Sequence, residues 1–540
     1  MSTSLIAWNK PRLHNIESQF CRRVIIACIT IASMTIIMDL LSIVIVLTEI
    51  QGFLSVDSTY AFWLARSYMF MTVVAPLITY RLAKLYGFKL MFFVGNSIFI
   101  ISSIFCTLTQ DYWVMLLFRI LGGFGGGMVL TVGMPIINFT IIHEDLRRPI
   151  ILAYNNIYFG FGIALGLIFG GYFGQIGHWQ LVLHVNIFFT AIALVIGLLV
   201  LAETEPIQCK PYDIIGLVTI ITCSFSLLMI VTQVKEPWNT MGWHSPFILT
   251  FSYIAIASLI SFITHSLIHE DPLFDVKLFT YRPFFVGATS LFLVSIMVFG
   301  VTMATLQMLQ NYYGYERWKL GVFMSFLGVQ YALFGLLPYI TSRYINFRIW
   351  ALLGMTLLAY SCYSSQFLTI QSDEYELGAV VLTRGTGVSF SLGSLTVWAL
   401  FCFDQEMYAK GTSIITFLRQ LGGVLGSGVI GMIADTRLPF HLLRFGEQVN
   451  LYSAKFFQYT KNFDDHLIST RGSAPVEGSK QTTELIIDWL RAQAHIAGII
   501  DAEYILGWLY LLMITLMVGS LIYVYFFKPL KIQWKGEYTE

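Results

Sequence analysis

Apolar residues in this chain gather into long runs, and short polar stretches punctuate them. Fourteen runs, at about 24–48, 60–82, 89–108, 112–138, 149–173, 181–202, 213–232, 245–266, 283–303, 318–340, 348–369, 376–402, 411–434 and 504–528, are each long enough to cross a bilayer. About 20 residues at ~1.5 Å rise per residue cross a hydrocarbon core of ~30 Å. The backbone inside that core must bond to itself, so each run is predicted to be a helix. The pattern describes an all-α polytopic membrane protein with fourteen transmembrane helices. Composition agrees, with 56% hydrophobic and 12% charged residues and a mean hydropathy of +0.72. The first run, Val24 to Leu47, is too long for the apolar core of a cleavable signal peptide and reads as a signal anchor.

Lys and Arg set the orientation. With the N-terminus inside, the inner tails and loops carry Arg22, Arg23, Arg81, Lys84, Lys89, Arg147, Arg148, Lys528 and Lys531, among others. The short outer loops carry Lys235, Arg317 and Lys319. An even number of spans then puts both termini in the cytoplasm. The expected divisions are a tail at 1–23, a first six-helix bundle at 24–202, two inserted helices at 213–266, a second six-helix bundle at 283–528 and a tail at 529–540.

One outer segment, 435–503, is too long and polar for a plain connection. Its Leu485, Trp489 and Ile496 fall near one helical face, which fits a short amphipathic helix resting on the membrane or on a partner. Ser469 to Lys480 reads as the linker before it.

A net charge of +1 supplies no field for nucleic acid, and no nucleic-acid motif is present. The seven cysteines are scattered without a C-x-x-C pair, which indicates neither a disulfide framework nor a metal site. His265 and His269 have i, i+4 spacing beside Glu270 and Asp271, which could suit a metal, but a helix end entering a cytoplasmic loop fits them as well. No metal and no cofactor is expected.

Asp39, Arg66, Arg119, Arg384 and Arg419 interrupt apolar runs. An ionisable group at a helix centre costs at least ~2.5–3.5 kcal/mol on insertion scales, so such groups face a cavity or a partner. Asp39 lies roughly 14 Å from the outer end of its helix and Arg119 roughly 10 Å, with Arg66 and Arg384 at similar depth. Asp39 is therefore expected to be the one deep carboxylate, either fixed in an ion pair or alternating between a proton and an arginine. Three arginines against one acid leave a local excess of about +2, which would favour anionic or neutral substrates.

Gly162, Gly166 and Gly170 recur every four residues and make a bare helical stripe, followed by Gly171. Such a stripe allows close helix approach, and here it either simply packs or also seals a gate. Arg119 and its glycine run have a counterpart in Arg384-Gly385-Thr386-Gly387. The stripe of the fifth span has a counterpart in the thirteenth, from Leu421. Duplicated halves are a transporter signature, with the site between them near the midplane.

In this order and spacing the chain resembles the major facilitator superfamily, and within it the fourteen-helix drug:proton antiporters of the EmrB type. Met38 to Ile50 is similar to that family's first-helix motif at Asp39, Leu47 and Ile50, with Val44 and Thr48 replacing its Asn and Pro. Arg81 to Lys89 is similar to its loop motif at Leu82, Ala83, Gly87 and Lys89, with Lys84 at the acidic position. Arg119 matches the fourth-helix arginine, with Gly122 where Gln is usual. Gly162, Gly166, Gly170 and Gly171 match the antiporter motif, with Leu167 replacing its proline. His178-Trp179, Asn186, the His269–Phe279 and Leu309–Tyr315 segments and the long loop before the last span also look like that branch.

The resemblance implies proton-coupled efflux by alternating access from a bacterial inner membrane, with Asp39 and Arg119 as the coupling pair. Arg66, Tyr68, Asn155, Asn156, Gln307 and Arg384 are the polar candidates for the substrate cavity, with Met69 and Met71 as soft apolar surface. Helix-to-helix hydrogen bonding is the alternative for each. The long outer loop is expected to dock a periplasmic membrane-fusion adaptor leading to an outer-membrane channel. An importer or exporter of a specific metabolite such as a siderophore or nutrient would use the same fold. A membrane enzyme is disfavoured because no nucleophile, His/Asp or metal motif is present.

Overall fold

A computed structural model describes residues 19–527 apart from 141–143, 203–212, 449–457, 463–468, 470–474 and positions 237, 270, 271, 343, 402, 404 and 459. The helices in chain order are α1 Gln19–Leu54, α2 Ser58–Tyr86, α3 Phe88–Leu108, α4 Tyr112–Thr140, α5 Glu144–Gln175, α6 Gln180–Val200, α7 Ile214–Gln233 and α8 Pro246–Ile268. They continue as α9 Arg282–Asn311, α10 Arg317–Phe334, α11 Leu336–Ile340, α12 Phe347–Ser364, α13 Glu374–Leu400, α14 Gln405–Gln448 and α15 Pro475–Phe527. Twelve candidate spans, α10 and α11 counting as one, are long and apolar enough to cross a membrane. The other two long helices, α12 and α13, are diluted by Ser, Thr and Gly, but pack into the same bundle.

The spans are long because their apolar runs carry few breakers, and a proline inside a membrane helix is tolerated where neighbours satisfy the freed carbonyl. Pro76, Pro135 and Pro149 are such cases. Gly87 ends α2 and starts α3 with φ 99°, a backbone that L side chains rarely adopt. One expected span is broken. The run 318–340 divides at Gly335 into α10 and α11. Pro338 has no N–H for the carbonyl four residues back. A Cβ on Gly335 would lie 2.4 Å from the Asn156 side chain, so only glycine admits α5 there.

Apart from α5, α10 and α11, helices α1–α6 pack mainly among themselves, as do α9–α15, while α7 and α8 pair with each other and α7 rests on α14 and α2. The two groups meet chiefly along α5 with α10 and along α2 with α14. The outer stretch 435–503 differs from the expected loop. Helix α14 runs on to Gln448, and α15 begins at Pro475 and continues unbroken through the apolar run to Phe527. Of the expected amphipathic face, Ile496 is buried while Leu485 and Trp489 are exposed. The second half of the expected linker, 475–480, is the first turn and a half of α15, while 470–474 and both outermost tails lie outside the described residues.

Candidate functional site

Asp39 sits in the middle of α1, fully buried, where α4 and α6 cross it. Arg119 on α4 donates from Nη1 to Asp39 Oδ2 at 2.8 Å, and Asn186 on α6 donates from Nδ2 to Oδ1, also at 2.8 Å. Each carboxylate oxygen thus has one strong donor. The Arg119 guanidinium also lies over the Tyr68 ring, 4.3 Å from its centroid. The Tyr68 hydroxyl donates to the Ile36 carbonyl at 3.4 Å. Tyr68, a cavity candidate by sequence, therefore belongs to the walls of the Asp39–Arg119 pair.

The expectation of a single deep carboxylate is overturned. Glu503 on α15 is 4% exposed, and its Oε2 accepts from Arg384 Nη2 at 2.8 Å. Arg384 Nη1 also donates to Thr305 Oγ1 on α9 at 3.1 Å. Arg66 in turn lies 3.9 Å from Glu236, in the turn after α7, and Thr59 donates to the same carboxylate. Each of the three arginines behind the expected +2 excess has a carboxylate partner, so that excess does not exist. Glu503 escaped the sequence reading because polar residues precede it. Glu236 escaped because it lies in a loop far along the chain from Arg66.

Of the five ionisable residues that interrupt apolar runs, Arg419 on α14, 2% exposed, is the arginine without a carboxylate partner among the described residues. Its Nη1 donates to Asn155 Oδ1 across the two groups at 3.3 Å, and its guanidinium lies near the Tyr158 and Phe159 rings. Asn156 donates to the Gly335 carbonyl at 3.0 Å. Arg419 Nε, Asn156 Oδ1 and the Tyr331 hydroxyl are buried atoms with no hydrogen-bond partner among the described residues. These side chains form a polar cluster where α5 meets α10, α11 and α14. Gln307 is exposed, two residues beyond Thr305 and so on another side of α9.

The fifth helix carries glycines on two sides. A Cβ on Gly162, Gly166 or Gly170 would come within 3 Å of α1 atoms at Met34, Ile37, Met38 or Ser42. A Cβ on Gly160 or Gly171 would come within 3 Å of the α10 backbone at Gly328, Ala332 or Arg317. The expected stripe is therefore a tight contact with α1, and a second glycine face joins α5 to the other group.

Residues 25–427 match the family model described as Major Facilitator Superfamily, about three quarters of the chain. The chain belongs to the major facilitator superfamily. It is a secondary transporter, not an enzyme. The fatty acid resistance protein FarB of Neisseria gonorrhoeae is 26% identical over 83% of this chain and 86% of its own length. The multidrug export protein EmrB of Escherichia coli is 22% identical over 90% of this chain and 91% of its own. Among solved structures, the proton:xylose symporter XylE superposes with a TM-score of 0.58 at 12% identity, covering 92% of this chain and 95% of that one. The human organic anion transporter MFSD10 superposes with a TM-score of 0.56 at 14% identity, covering 92% and 99%.

Away from the membrane centre, Asp213 caps α7 and joins the two inserted helices. Its Oδ1 accepts from Gly216 N and His265 Nε2, and its Oδ2 accepts from Leu273 N. Burial alone would raise the Asp213 carboxyl, but the Gly216 N–H, the His265 imidazole and the Leu273 N–H outweigh it and hold it below its ordinary range. Donor atoms of Asp213, His265 and His269 lie within 4.8 Å of one another. Two backbone N–H groups already engage Asp213, which makes it a clamp between the start of α7 and the end of α8. Glu270 and Asp271 lie outside the described residues.

Proposed function

We propose that this transporter is a proton-coupled exporter of small amphiphilic compounds, anionic or neutral, working by alternating access in a bacterial inner membrane with both termini cytoplasmic. The observation that carries the reading is the fully buried Asp39, held by Arg119 and Asn186. Protonation from the outer side removes the charge that Arg119 faces. Losing one partner of a buried pair costs about 3–5 kcal/mol. A proton crossing the membrane supplies ~2.3 kcal/mol per 100 mV, plus ~1.36 kcal/mol per pH unit. The two quantities are of the same order, so a proton can shift the balance between states. A change at α1 passes to α5 through the glycine stripe and from α5 to α10 in the other group.

Arg419, with Asn155, Asn156 and Tyr331 around it, supports an acidic substrate group near the centre. A guanidinium pairs a carboxylate through two parallel bonds. The names of two similar proteins, a fatty acid resistance protein and an organic anion transporter, agree with this chemistry. The outer ends of α14 and α15 would dock a periplasmic membrane-fusion adaptor and, through it, an outer-membrane channel. The exposed Phe440, Leu443 and Trp489 support that role. Replacing Phe440, Leu443 and Trp489 together by Ser would then spare transport in vesicles and abolish efflux from whole cells.

The test uses purified protein in inverted and right-side-out vesicles under an imposed pH gradient. The probes are a long-chain fatty acid carboxylate and a quaternary ammonium of similar size. Proton-driven accumulation of the acid in inverted vesicles, lost in Arg419→Gln, is expected. Accumulation only in right-side-out vesicles would make the protein an importer. Preference for the cation would overturn the substrate assignment.

A further inference from the structure

The two buried arginine sites occupy matching places in the two helix groups. In the first group the acid Asp39 comes from the first helix, α1, Arg119 from the fourth, α4, and the amide Asn186 from the sixth, α6. In the second group α10 and α11 form the second span. There the hydroxyl of Thr305 comes from the first helix, α9, Arg384 from the fourth, α13, and the acid Glu503 from the sixth, α15. The positions are conserved between halves, but the carboxylate has moved from the first helix to the sixth. Both acids are buried, and both face a guanidinium that also has a neutral polar neighbour.

We propose that Glu503 is a second proton-carrying carboxylate, so that protonation acts in both halves of the transporter. This rests on the reading that Asp39 is the proton carrier of the first half. When Glu503 takes a proton, Arg384 loses its charged partner and keeps Thr305 as its acceptor. The groups facing Glu503 make this feasible. Arg384 on α13 is the cation that faces it. Cys362 on α12 lies close to both Glu503 and Arg384, and Tyr510 lies on the same face of α15 as Glu503, about two turns along. The other charges where α14 meets α15 are engaged elsewhere. Arg437 and His441 hold Asp501, and Asp435 faces His495. Glu503 therefore pairs with one arginine, as Asp39 does.

The test is infrared difference spectroscopy of the full-length protein in lipid during a pH step, without added substrate, reading the C=O stretch of protonated buried carboxyl groups. Wild type should show two such components. Asp39→Asn should remove one and Glu503→Gln the other. Thr305→Asp combined with Glu503→Gln should restore a component, because it places the acid on the first helix as in the other half. Should Glu503→Gln fail to fold, Glu503→Asp should move the titration midpoint of its component. A spectrum of Glu503→Gln identical to wild type, or of Glu503→Asp with no shift, would overturn the proposal and leave Glu503 a fixed ion-pair partner. A change in Glu503→Gln but none in Asp39→Asn would uphold Glu503 and refute Asp39 as carrier.

Discussion

Asn186 decides what kind of contact Asp39 makes. Arg119 holds one carboxylate oxygen and Asn186 the other, so removing the amide leaves Oδ1 without a donor. A hydrogen bond to a charged group contributes about 1.5–3 kcal/mol. Asn186→Leu is therefore expected to lower the thermal midpoint of the solubilised protein by an amount matching that range. The loss should shrink in an Asp39→Asn background, where the charged acceptor is already gone. A double-mutant cycle with no coupling between the two positions would show that they act independently. At this scale the sequence exposed Asp39, Arg119, Arg384 and Arg419, because a charge in an apolar run is conspicuous. It did not expose the pairings. Glu503 follows a polar stretch, and hydropathy cannot tell the buried base of a long helix from a loop.

Between helices, glycine placement does what hydrophobicity cannot in lipid, where apolar burial gives no preference for one neighbour over another. A Cβ on Gly321 would lie 2.4 Å from the Leu167 carbonyl oxygen, a backbone atom that cannot move aside. Gly321→Ala is expected to cost about 1–3 kcal/mol through overpacking and to slow transport by prising α5 from α10. Gly431→Ala meets nothing within 4 Å and serves as the control. Equal effects of the two, measured by thermal unfolding and vesicle flux, would remove the special role of this contact. The four-residue glycine period was legible in sequence. Its partner helix was not, and neither was the break at Gly335, because the run stays apolar through it and Pro338 is the one local signal.

Across the whole molecule, the two helix groups are bridged at both ends. Where α1 and α5 finish and α10 begins, Arg317 donates to Glu49, Thr48 and the Gly174 carbonyl. Toward the opposite end Ser413 donates to the Pro76 carbonyl, and Asn156 to that of Gly335. Partly exposed ion pairs contribute about 0–1 kcal/mol, so the Arg317 bridge can open at little cost. Glu49→Gln is expected to speed substrate exchange in proteoliposomes held at equal pH on both sides. Unchanged exchange would show that the Arg317 bridge does not limit opening. The span count and the echo of one half in the other followed from apolar runs and repeated motifs. The contacts that join the halves did not, since they arise between residues more than a hundred positions apart. If a proton on Asp39 drives the exchange of states, flux in proteoliposomes responds to its removal. Asp39→Asn should keep substrate exchange at equal pH on both sides and lose accumulation driven by a pH gradient. Gradient-driven accumulation equal to wild type would contradict the account.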